Sequence, residues 1–95
     1  MAHAGSSPYG DEALRIAVVV RELAAFGLEP RHLRAAKSSA DREVGMVEQV
    51  VAPVLRQRDP EASVRADEMA QEIAALSVKL HAALVQSALN ASLGR

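Results

Sequence analysis

The sequence predicts an all-α chain of four helices: two shorter ones meet at a glycine corner, and an antiparallel hairpin of long helices follows, the whole forming a helical homodimer. Three observations predict it. From Asp11 onward apolar residues recur at intervals of three and four, with no strand-like alternation. Breakers cluster between the periodic runs, at Gly27 to Pro30, at Asp59 and Pro60, and at Gly94. The last run continues for about 30 residues without a breaker, further than a 95-residue domain can cover with its own chain.

Residues 1–10, rich in Gly, Ser and Pro, read as a flexible tail, and the helical domain spans 11–95. Asp11 supplies an N-cap for the first helix, "EALRIAVVVRELAAF". Its polar residues are mainly Glu12, Arg15, Arg21 and Glu22, so burial on several sides is expected. Gly27 stands where a left-handed residue ends a helix, Leu28 can fold back on it, and Pro30 suits the first turn of the next helix.

The second helix, "PRHLRAAK", is expected to end at Ser38 and Ser39, with Ser38 and Asp41 at capping-box spacing for a third. That third helix runs from about Ala40 to Gln57, with a heptad seam at Ala40, Val44, Val47, Val51 and Val54 and a kink expected at Pro53. Asp59 as N-cap, Pro60 and Glu61 open the fourth. Its seam is Ala62, Ala66, Met69, Ile73, Leu76, Leu80, Ala83 and Ser87, and Arg65 falls on the presumed solvent face. A second stripe through Ala70, Ala74, Val78, Leu84, Val85 and Leu89 is wider than one neighbouring helix can cover.

A helix of about 30 residues is a rod of roughly 45 Å, whereas a compact domain of this length spans only ~30 Å. Length and stripe width together call for a second copy of the chain. The expected dimer interface is Val44, Val47, Val51, Val54, Met69, Ile73, Leu76, Leu80 and Leu84.

Composition narrows function by exclusion. Eleven Lys and Arg against twelve Asp and Glu give a net charge of −1, without general attraction to phosphate or anionic lipid. There is no Cys, hence no disulfide frame and no thiolate metal site, which suits a cytoplasmic protein. No apolar run approaches the ~20 residues that cross a bilayer, and the N-terminus lacks the pattern of a secretory signal. His3, His32 and His81 are scattered, and no nucleophile motif or glycine-rich phosphate loop occurs. Catalytic residues, metal ligands and cofactors are therefore not expected. Arg31, His32, Arg34, Lys37 and Arg42 form the one basic cluster.

The stretch Tyr9 to Ala36 resembles the segment after the wing in MerR-type transcriptional regulators. The matching pieces are Asp11 and Glu12, Leu14, Arg21 to Leu23, Gly27, Leu28, and Leu33 with Arg34. The run through "SADREVGMVEQVVAPVLRQRDPEA" to "LSVKLHAALV" is similar to the C-terminal domain of an actinobacterial MerR-like regulator. The resemblance implies a non-catalytic dimerisation and effector-sensing domain that meets promoter DNA only through an N-terminal winged helix, a module missing from these 95 residues. Under that reading an effector, small and apolar or peptide-like, sits where the first helix, the corner and a partner helix meet, around Phe26, Leu28, Leu33, Met46 and Val50. The alternatives are a stand-alone DNA-binding module of helix-turn-helix type using the second helix, and a helical adaptor for another protein.

Overall fold

The computed structural model describes residues 10–94. Of the expected tail, only Gly10 falls within them, and there it opens the first helix; His3 and Tyr9 lie outside. The described residues contain three helices and no strand: α1 (Gly10–Ala24), α2 (Pro30–Leu55) and α3 (Ala62–Ser92).

The four-helix expectation is corrected at Ser38 and Ser39, which lie inside α2 and end nothing. Serine is only slightly worse than alanine within a helix, by about half a kcal/mol, and Ala35, Ala36 and Ala40 are strong helix formers beside it. A possible cap is not a stop when neither Gly nor Pro follows it. At Pro53 the missing N–H takes a partner from the Gln49 carbonyl, and the helix ends two residues later at Leu55. Arg56 N–H still reaches the Ala52 carbonyl at 3.1 Å, and Gln57 N–H the Val54 carbonyl at 3.1 Å.

The chain divides into two units between Ser38 and Ser39, so α2 contributes its start to one and its longer remainder to the other. In the first unit, α1 ends where the sequence places the corner. Gly27 has φ +97°, which costs a residue with a Cβ about 1–2 kcal/mol. Its N–H donates to the Ala24 carbonyl at 2.9 Å, and Leu28 N–H donates to the Leu23 carbonyl at 3.3 Å, closing the end of α1. The expectation that this helix is buried on several sides fails in the single chain: none of its residues is buried, and Leu14 and Ile16 are more than 60% exposed.

In the second unit the remainder of α2 lies antiparallel to α3. The core is small. Val51, Ala62 and Ala66 are the buried residues among those described, all near the α2–α3 turn, and Val47, Val54 and Ile73 are half-buried beside them. Alanines at 62 and 66, one helical turn apart, let α2 approach closely enough to enclose Val51. Further from the turn α3 loses cover: Leu76, Leu80, Leu84, Val85 and Leu89 are all exposed. Its 31 residues measure roughly 46 Å, against about 25 Å for the part of α2 in the same unit. Gly94, with φ +74°, ends the α3 segment as a left-handed residue.

Candidate interface of the helical hairpin

The turn that joins α2 to α3 is fixed by one polar network. Asp59 Oδ1 accepts the Glu61 N–H at 2.9 Å, and the Asp59 carbonyl accepts the Ala62 N–H at 2.9 Å. The aspartate therefore caps a turn just ahead of the helix, and α3 starts at Ala62, two residues after Pro60. Arg65 donates from Nη1 to Asp59 Oδ2 at 2.8 Å and from Nη2 to Gln57 Oε1. Arg65 lies at the surface, its side chain about 41% exposed, and from there its guanidinium reaches back across the first turn of α3 and ties the helix to its own connection.

The Glu61 N–H and then the Arg65 guanidinium hold the Asp59 carboxyl below the usual carboxylate range. A depressed folded-state value means that the contribution to stability is present above the unfolded-state value near ~3.9 and is lost as pH falls through the folded one. The Asp59→Asn variant is expected to melt below wild type at neutral pH, with the gap closing as pH falls through the depressed folded-state value of Asp59. Thermal melts followed by circular dichroism across that range check this. Parallel loss of stability in both chains would contradict it.

Beyond the turn, α2 and α3 enclose an open groove of about 480 Å³. Its α2 wall is Ala40, Val44, Val47 and Val51, with Glu43 and Glu48 alongside; its α3 wall is Ala70, Ala74 and Val78, with Gln71 and Ser77. Apolar side chains make its floor, and the formal charges on its walls are the two carboxylates. Among the described residues, no group of three or more His, Asp or Glu is placed to hold a metal ion, and no helix is long and apolar enough to cross a membrane.

The structure distributes the expected interface residues over two environments. Val44, Val47 and Val51 line the groove; Val54 and Ile73 are half-buried in the hairpin; Met69, Leu76, Leu80 and Leu84 are exposed. Of the expected effector residues, Phe26, Leu28 and Leu33 belong to the first unit and Met46 and Val50 to the second. Phe26 is 87% exposed, and Met46 and Val50 are exposed on α2 outside the groove lining. Sequence reading missed Glu43, Glu48, Gln71 and Ser77 as groove residues, since their polarity places them outside any apolar stripe; their one signal is helical spacing from Val44, Val47 and Ala74.

At the corner, His32 has a local structural part. Its Nδ1 accepts the Glu29 N–H at 2.9 Å, while its own N–H donates to the Glu29 carbonyl at 2.9 Å. The imidazole thus makes the half of a capping box usually made by Glu or Gln, while the second bond is a backbone turn bond from the His32 main-chain N–H to the Glu29 carbonyl. Arg31 pairs with the exposed Glu29 at 2.8 Å. Two of the five basic-cluster residues are thus engaged in opening α2.

The family model described as Rv1828-like, C-terminal domain, matches residues 1–93 of this sequence. Two relatives are each 40% identical over 87 residues: the HTH-type transcriptional regulators Rv1828 of Mycobacterium tuberculosis and Mb1859 of Mycobacterium bovis. The match covers 92% of this chain and 35% of each relative, so the chain spans about a third of the length of the curated relatives it matches. No solved structure matches it.

Proposed function

The chain belongs to the Rv1828-like C-terminal domain family, and from that membership we propose that it is the dimerisation and effector-sensing domain of a MerR-family transcription regulator. Residues 11–95 form the domain, and promoter DNA is met by a separate N-terminal helix-turn-helix module, in keeping with the description of both relatives. The domain is non-catalytic, needs no cofactor and works in the cytoplasm as a homodimer. Its effector is small and apolar or peptide-like.

One observation carries the dimer. Three residues are buried among those described, while twenty large apolar side chains are exposed, from Leu14 to Leu93. A soluble monomer rarely exposes a contiguous apolar patch beyond about 300–600 Å², and patches larger than that mark a surface meant to be covered. The exposed residues of α3 alone, Leu76, Val78, Leu80, Leu84, Val85 and Leu89, recur over four turns.

The reading also requires that these 95 residues do not themselves hold DNA. Duplex binding depends on neutralising phosphates, and here net charge is −1 and Arg31 is paired with Glu29. An electrophoretic mobility assay at about 150 mM salt is expected to show no shift with duplex DNA. Tight, sequence-specific retention by the chain alone would return the stand-alone DNA-binding module.

A further inference from the structure

We propose that the groove between α2 and α3 is a binding site for a small apolar molecule carrying one protonated amine, an alkylammonium, with Glu43 as the partner of its charge. This rests on the effector reading above and gives that effector a place and a chemical class.

Small side chains make the room. The α3 wall facing Val44 and Val47 is built from Ala70 and Ala74, so the hairpin does not close there, and the space of about 480 Å³ that remains is of the size that small molecules occupy. Of the exposed α3 residues assigned to contact between copies, Leu76 to Leu89, only Val78 also lines the groove. A ligand here sits beside that contact and does not replace it.

Charge names the class. Glu43 is half-buried in the groove wall, and Glu48 stands exposed five residues on, about 7.5 Å further along the helix axis. Among the described residues neither carboxylate has a hydrogen bond or an ion pair, whereas Glu29 and Asp59 each hold an arginine. No Lys, Arg or His lines the groove.

A neutral molecule filling this space would strip water from Glu43 and leave a desolvated charge unpaired, and an anion would add repulsion. An ammonium instead meets the carboxylate in a charge-assisted hydrogen bond while its apolar body covers Val44, Val47 and Val78. It has three N–H donors, and Gln71 and the half-buried Ser77 on the α3 wall offer further acceptors.

Three rigid probes of one shape and different charge test this: adamantylamine, protonated at neutral pH, adamantanol and adamantanecarboxylate. In titrations of the isotope-labelled chain followed by amide nuclear magnetic resonance, the amine is expected to shift residues 40–51 and 70–78 and to bind about tenfold tighter than the alcohol, with the carboxylate weakest. Glu43→Gln should lower the amine to the affinity of the alcohol. Ala74→Leu, at an exposed position where the larger side chain fills the groove, should abolish binding of both. Circular dichroism checks that the two variants keep wild-type helicity. Binding of the alcohol as tight as that of the amine, with shifts in the groove, would overturn the ammonium class and leave an apolar effector standing. A preference for the amine that survives Glu43→Gln, or shifts confined to α1 and the corner, would overturn the site. Silence towards all three probes would overturn both site and class, and the homodimer would stand or fall separately by sedimentation.

Discussion

Replacing Val51 with Asp is expected to abolish cooperative folding. Val51 is the one large side chain among the three buried residues, 6% exposed and enclosed where Ala62 and Ala66 bring α3 close to α2. No cation lines the adjoining groove, where Glu43 and Glu48 are the formal charges. A carboxylate at position 51 would therefore be both desolvated and repelled, at a cost upwards of about 4 kcal/mol. A domain of this length has roughly 5–14 kcal/mol in total, and a chain with so small a core stands at the low end. Val51→Ala, which only trims methyl groups, should cost about 2 kcal/mol and still melt in one transition. Far-ultraviolet circular dichroism with thermal melts separates the two. A helical, cooperatively melting Asp variant would show that Val51 does not hold the hairpin together.

Leu84→Asp should have a second, different effect. Leu84 is 58% exposed in the single chain, and no element within its unit covers it. Charge there costs the isolated hairpin almost nothing. In the dimer the same carboxylate would be desolvated at a contact centre, where truncation of an anchor typically costs 2 kcal/mol or more, about 30-fold in dissociation constant. Because the single chain buries so little, dissociation should carry unfolding with it, and the melting temperature should fall with dilution. Glu68→Ala, on the exposed and acidic first half of α3, serves as the control with a shift under about 0.5 kcal/mol. If Leu84→Asp matched that control in association and in melting, the exposed stripe would not be an interface.

The parts of the fold that were legible in the sequence are those set by local chemistry. Gly27 and Gly94 stand at positive φ at helix ends, and Pro30 opens α2, because these residues leave the backbone few options. The heptad seam of α2 likewise picks out Val47, Val51 and Val54 as residues to be covered, although it assigns them to contact between copies, whereas in the single chain Val51 is already buried and Val47 and Val54 half-buried. Ser38 and Ser39 misled because a cap signal is permissive: serine can start a helix, and equally sits inside one whose neighbours favour it. At Arg65 periodicity gives the exposed face but not the partners, because its bonds to Asp59 and Gln57 depend on the shape of a turn. Burial of α1 on several sides follows from its composition alone; apolarity states what must be covered, and in the single chain Leu14, Ile16 and Val19 stay in solvent.

The association state of the chain tests the central claim most directly. Sedimentation equilibrium at low micromolar concentration should return about 20 kDa, twice the 10.1 kDa chain mass, with helical signal lost as dilution dissociates the pair. A well-folded species of about 10 kDa, melting cooperatively and independently of concentration, would contradict it and with it the assignment of the exposed α3 stripe to contact between copies.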